Sequence, residues 1–375
     1  MSTRFYPEEK YISKSRFIDY STIHSVMCQH TDVSGSSVYV DYEYGRLKEV
    51  IVGVPFGMNP SLEAEWLEDA LKVLTPEEAE YARQTAGQVW KNLVDPRTKK
   101  TETDMLESEN QGFIEILKKL NVKIYRPFEI TPEFIEKYYG KDVLLNGYSQ
   151  TFPRDNLIVI GNNVIEFNLR TPIRKVDISG FREILNEKCD TTVKRFSMPH
   201  TELLSTPDEE NTPRLEGGDV IVLGHTILVG NSTNPSVGSN KAGYEWLKNI
   251  LGHEYNVVRV PLIKTVLHLD CVLSTPRKGL AIVCPEAFIE GIPTAIKDWD
   301  LISVTLDDVV LLAVNGIPFD ETTYIMSWND NNDNSYLQKE LEKRGIKVHK
   351  VYFNTHNDSG GSLRCATQSL IRRVV

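Results

Sequence analysis

One order of elements recurs along this chain and constrains its fold more than any other feature: an amphipathic helix, a short turn, then a strand. Residues 107–120 put Phe113, Ile116, Leu117 and Leu120 on one helix face, with acids early and Lys118 and Lys119 late, as the helix dipole favours. The strand VKIYRP follows at 122–127. The order returns in FREILNEKCDTTVKRFSMP (181–199), YEWLKNILGHEYNVVRVP (244–261) and YLQKELEKRGIKVHKVYF (336–353), where Gly345 reads as a helix C-cap, and more faintly in AIKDWDLISVTL (295–306). Each of these five units is too small to bury its apolar face alone, so they are expected to pack around a common centre. Between them lie β-rich stretches broken by Gly or Asn: EVIVGVP (49–55), LIVIGNNVIE (157–166), VIVLGHTILVG (220–230), VLSTPRKGLAIV (272–283) and LLAVNGIPFDETTYIM (311–326). Alternating hydrophobics around a Gly or Asn turn read as hairpins.

The chemistry-bearing residues sit where these hairpins begin. Pro153-Arg154-Asp155 precedes the second, Leu215-Glu216-Gly217-Gly218-Asp219 the third and His268-Leu269-Asp270 the fourth, while Cys365 precedes the last short strand. If the units are set round a pseudo-rotation axis, these positions converge on one central pocket. They supply a thiol, an imidazole and several carboxylates, the kit for nucleophilic catalysis on a cationic substrate. Asp155 and Asp270 suit a guanidinium, whose rigid fork of donors matches carboxylates. A bound cation and a nearby imidazole favour the Cys365 thiolate, which can attack the guanidinium carbon. His268 can protonate the departing amine, with Glu216 fixing its orientation and stabilising its charged form. The amidino group left on sulfur is open to an amine, which makes a transferase, or to water, which makes a hydrolase.

Composition narrows the partners. A chain of 375 residues, 41% hydrophobic and 25% charged, is an ordinary globular protein, and its net charge of -10 with scattered basic residues argues against nucleic acid. The first thirty residues carry charges throughout and no long apolar run, so neither a signal peptide nor a membrane span is expected and the location is taken as cytoplasmic. Five widely spaced cysteines with no CxxC fit reduced thiols better than disulfides or a zinc site, and neither metal nor cofactor is expected.

The segments FPRDNLIVIGNNVIE, LEGGDVIVLG, LHLDCVLS and GGSLRCATQSLIRR, in that order across roughly residues 45–375, resemble the guanidino-group modifying enzymes: arginine deiminases, dimethylarginine hydrolases and amidinotransferases. The resemblance implies an α/β fold of the pentein type, a fivefold pseudosymmetric α/β propeller with a central active site. It also implies Cys365 as nucleophile, His268 as general acid and base, Glu216 as its partner, Asp155 and Asp270 as guanidinium ligands, and Asp219 behind them. PRD followed by a strand is similar to the glycine and inosamine-phosphate amidinotransferases, whereas Glu216-Gly217-Gly218 is similar to the deiminases where amidinotransferases carry Asp-Ala-Ala. Ala287 stands where arginine:glycine amidinotransferases place an arginine for the donor's carboxylate, which leaves Arg170, Arg174 and Arg364 as candidate substrate ligands. The leading expectation is an amidinotransferase that moves the amidino group of L-arginine to an amine and releases ornithine. Glycine, lysine or an intermediate of a saxitoxin- or cylindrospermopsin-like pathway are the acceptors considered. A deiminase- or dihydrolase-type hydrolase is the alternative, and a noncatalytic guanidino-ligand binder the alternative of another class. Residues 1–40 are read as an N-terminal arm, residues 41–375 as one catalytic domain, and a homodimer is expected.

Overall fold

The computed structural model describes residues 35–72, 74–199 and 212–374. Most of the arm expected at 1–40, with Cys28, lies outside the described residues. Its last residues, 36–40, belong to the body instead, because Tyr39–Val40 form β1 and hydrogen-bond in parallel with the chain's final strand.

The first sheet continues with β2 (Arg46–Val52) and, after β3 (Gly57–Met58) and the helix Glu102–Lys119, with β4 (Lys123–Tyr125), parallel to β2. That helix starts where Thr101 and Asp104 cap each other's backbone N–H groups, and it buries Phe113 and Leu117 completely. Each such side chain contributes about 2–3 kcal/mol by leaving water. A short strand, β5 (Tyr148–Ser149), pairs with β3.

The next four sheets repeat one connection. A strand turns into an antiparallel partner, the chain crosses over, and a third strand returns parallel to the second. β6 (Leu157–Ile160) and β7 (Asn163–Glu166) are joined through the helix Arg182–Lys188 to β8 (Lys194–Ser197). β9 (Val220–Leu223) and β10 (Thr226–Ser232) lead through the helix Lys241–Leu251 to β11 (Asn256–Leu262). β12 (Leu273–Arg277) and β13 (Leu280–Val283) lead to β14 (Asp300–Ser303). β15 (Ile317–Asp320) and β16 (Thr323–Trp328) lead through the helix Ser335–Lys343, ended by Gly345 at φ +77°, to β17 (Lys347–Tyr352). The last strand, β18 (Thr367–Arg373), pairs antiparallel with β2, so the two ends of the chain share one sheet and complete the same pattern there. The apolar core lies between the sheets and the helices that cover them.

Three sequence readings are corrected. EVIVGVP is no hairpin, since β2 takes its antiparallel partner from the other end of the chain. In the faint unit at 295–306 the strand forms as β14, but the part expected to be helical is a run of turns before it. In LLAVNGIPFDETTYIM the hairpin turns at Glu321-Thr322, and Asn315-Gly316 leads into it. Among the described residues no helix is long and apolar enough to cross a membrane.

Candidate active site

Three one-turn 3-10 helices, Pro153–Asp155, Gly217–Asp219 and Leu269–Cys271, immediately precede β6, β9 and the stretch into β12, and they pack in series against one another. Glycine permits this approach. A Cβ on Gly217 would stand 2.0 Å from the Arg154 carbonyl oxygen, and one on Gly218 would stand 2.5 Å from His268 Nδ1. The hairpin entrances therefore do bring Asp155, Glu216, Asp219, His268 and Asp270 together.

His268 is 4% exposed and lies between carboxylates: Nε2 is 2.6 Å from Glu216 Oε2, and Nδ1 is 3.9 Å from Asp155 Oδ1. Burial disfavours its charged form, but Asp155, the Glu216 hydrogen bond and Asp219 outweigh that, and its pKa is held well above the ordinary histidine value. Burial acts against the Glu216 carboxylate too. The imidazolium beside it and the Arg170 N–H, which donates to Oε1 at 3.0 Å, win, so Glu216 is held at about 2. The pair is thus an imidazolium–carboxylate at neutral pH.

Cys365 is 5% exposed, with Sγ 3.9 Å from Asp270 Oδ2. Burial first, then the charges of Asp270 and Asp155, push its thiol well above the ordinary cysteine value. A second thiol, Cys271, lies 3.9 Å from the other oxygen of Asp270 and is pushed up by burial and that same carboxylate. Asp155 accepts the Gly218 N–H at 3.1 Å, and burial raises its pKa although His268 and Arg174 oppose the rise. Asp219 is fully buried behind the cluster and accepts the N–H groups of Leu269 and Ser239, both at 3.0 Å, tying two loops together; burial pushes it up to about 7.

The three candidate arginines differ. Arg364 is buried and bonds Asp270 Oδ2 at 2.9 Å and Glu43 Oε1 at 3.0 Å. Arg174 bonds Asp177 at 2.5 Å and Asp155 at 3.3 Å. Arg170 is half-buried beside Glu216, its Nε reaching the Gly238 carbonyl at 3.4 Å. Ala287 is fully buried in the core. His356, nine residues before Cys365 in sequence, is buried too, stacked on Phe353 and 2.6 Å from Glu109.

Sequence reasoning missed Glu43 and Asn315. Asn315 Oδ1 accepts the Arg364 N–H at 3.1 Å and the Cys365 N–H at 3.2 Å. It precedes β15 as Asp155 precedes β6, a position the motif-by-motif reading gave to a turn. Among the described residues no group of three or more His, Cys, Asp or Glu side chains is disposed to hold a metal ion.

A family model described as N,N dimethylarginine dimethylhydrolase, eukaryotic, matches residues 141–372. L-arginine:L-lysine amidinotransferase of Pseudomonas savastanoi pv. phaseolicola is 25% identical over 376 residues, covering 92% of this chain and 96% of its own. Among solved structures, inosamine-phosphate amidinotransferase StrB1 of Streptomyces griseus superposes with a TM-score of 0.70 at 18% identity, over 91% of this chain and 98% of that one. SxtG, an amidinotransferase of the saxitoxin biosynthetic pathway of Microseira wollei, does so at 0.69 and 22% identity, over 90% and 98%. The chain shares their fold.

Proposed function

The chain belongs to the N,N dimethylarginine dimethylhydrolase family within the guanidino-group modifying enzymes, and from that premise we propose that it is an amidinotransferase. In this reading it takes the amidino group of L-arginine onto Cys365, releases ornithine, and passes the group to an amine. In the propeller arrangement that the resemblance implies, the hairpin entrances converge on a central pocket that holds these residues. The observation that carries the reading is the field around Cys365: a buried thiol held neutral beside Asp270 and Asp155, which a bound guanidinium would offset. Its nearness to a carboxylate makes the nucleophile dependent on a cation.

The steps follow from the protonation states. Guanidinium binding between Asp155 and Asp270 releases the Cys365 proton to solvent, and the thiolate attacks the guanidinium carbon to give a neutral tetrahedral adduct. His268, already an imidazolium, protonates the departing nitrogen, so ornithine leaves as an amine and an amidinium stays on sulfur. The acceptor amine then attacks while neutral His268 takes its proton, and the adduct expels the thiolate. Glu216 keeps the imidazole ring in one orientation throughout. Arg170, half-buried beside Glu216, is assigned to the substrate carboxylate; Arg174 and Arg364 hold Asp155 and Asp270 in place.

Two relatives named as amidinotransferases that align over most of this chain favour transfer, one named for lysine and one for an inosamine phosphate, and glycine is the acceptor in the name of a third. Hydrolysis to citrulline and ammonia, or to ornithine, ammonia and carbon dioxide, is the second reading, favoured by the family model and by Glu216-Gly217-Gly218. Incubation with L-arginine, with and without a panel of amines, separates them by mass spectrometry of the products. Ornithine formed only with an acceptor, together with a matching guanidino product, is expected. Acceptor-independent citrulline or ammonia would replace transfer by hydrolysis, and unchanged turnover by Cys365→Ala would sink both.

A further inference from the structure

We propose that Asn315 is the positioning residue for the nucleophile and, through the same contact, a determinant of the kind of carbon the site attacks. The inference rests on Cys365 being the nucleophile.

Five sheets have equivalent first strands, and four of their entrances carry Asp155, the Glu216–Asp219 turn, the His268–Asp270 turn and Cys365. Asn315 occupies the fifth, two residues before β15. It is 1% exposed, so its amide must be satisfied inside the protein. Two backbone N–H groups, from Arg364 and Cys365, converge on one of its side-chain atoms, which identifies that atom as the oxygen. Its Nδ2 then donates to the Asp270 carbonyl at 3.4 Å. One side chain thus spans from the backbone of the nucleophile to that of the carboxylate 3.9 Å from its sulfur. The carbonyl of Cys365 is fixed as well, accepting the Arg154 N–H at 3.2 Å. With both backbone groups bonded, the sulfur has only its own χ1 rotation left.

The contact has a chemical consequence. Thiol and serine enzymes that attack a carbonyl commonly use the N–H of the nucleophile to stabilise the oxyanion. Here that N–H is taken by Asn315, and a carboxylate lies 3.9 Å from the sulfur. Attack on a guanidinium needs no oxyanion donor, because the adduct loses positive charge rather than gaining negative charge. Asn315 therefore holds the thiolate in line with a cationic carbon and withholds the donor that a neutral acyl carbon would require.

The test uses the full-length protein and two thiol reagents of similar shape, cationic 2-chloroacetamidine and neutral 2-chloroacetamide. Modification of Cys365 and of Cys271 is followed separately by peptide mass, beside the arginine kinetics. Wild-type Cys365 is expected to prefer the cationic reagent. In folded Asn315→Ala that preference should fall about tenfold and kcat by about 100-fold, the size of a 1 Å misplacement, with KM for arginine changed less than threefold. Asn315→Asp keeps the acceptor for both N–H groups and serves if the alanine variant does not fold; it should retain more of the preference than alanine. A folded variant with kcat within threefold of wild type, or one whose loss lies in KM alone, overturns the proposal. If wild-type Cys365 reacts with neither reagent and Cys365→Ala still turns over, the catalytic reading has failed and takes this one with it. If wild-type Cys365 reacts selectively and Asn315→Ala does so equally, this proposal alone is lost.

Discussion

The ionisation of two side chains sets what the site can do before any substrate arrives. His268 is kept protonated by carboxylates on both ring nitrogens, and Cys365 is kept neutral by burial and by Asp270. Replacing Glu216 by Gln removes the negative charge 2.6 Å from Nε2, so the His268 pKa drops toward its ordinary value. Because the proposed reaction requires the imidazolium, the falling alkaline limb of the kcat/KM profile should move to lower pH, with kcat down about 100-fold. A pH–rate series on the purified variant checks both. Gly218→Ala makes a different test, since its Cβ would stand 2.5 Å from His268 Nδ1 and 3.1 Å from Asp155 Oδ1. It should displace the imidazole and lower kcat at least tenfold while leaving urea unfolding within about 1–3 kcal/mol of wild type. These residues could be found in the sequence because each combines a reactive side chain with a place at a hairpin entrance. The roles of the arginines could not. Arg364 bonds Glu43, 321 residues away, and no local pattern announces a partner at that separation.

Elements were readable where the chain punctuates them. The helix Ser335–Lys343 ends at Gly345, whose φ of +77° is the left-handed turn that glycine takes without cost. No other atom lies within 4 Å of a Cβ placed there, so Gly345→Ala meets only backbone strain. It should cost about 1–2 kcal/mol in urea denaturation and leave turnover unchanged. Hairpins with Gly161, Gly224 and Gly279 at positive φ turn where expected. The fifth hairpin misleads because Asn-Gly is a strong turn signal, yet Asn315 is needed for its side chain and Gly316 for space, a Cβ there lying 2.5 Å from the Tyr324 ring. The first stretch misleads for another reason: β2 has the composition of a hairpin strand but its partner is the last strand of the chain, and pairing between chain ends leaves no local signature.

At the scale of the whole molecule, the segment 39–52 is joined to the C-terminal segment by strand pairing, β1 and β2 flanking β18, and by a buried ion pair. Glu43 accepts from Arg364 Nη2 at 3.0 Å and from the Val222 N–H at 3.3 Å, so one carboxylate links the N-terminal segment, β9 and the strand entrance that carries Cys365. Burial works against this carboxylate, but Arg364 and Arg154 hold it at about 2, below its ordinary 4.5. A depressed acid stabilises the fold above its unfolded pKa, and the contribution is lost as pH falls through the folded value. Glu43→Gln leaves the Arg364 cation with Asp270 alone, and breaking a buried pair in this way costs about 3 kcal/mol. The gap between wild type and variant in urea unfolding should therefore be full at pH 7 and close as the pH drops from about 4.5 toward 2. The outcome also decides what Arg364 is for. If it served a substrate carboxylate, removing Glu43 would free it, lowering KM for arginine with little change in stability. If it braces Asp270 beside the nucleophile, stability falls with the stated pH dependence and KM does not improve.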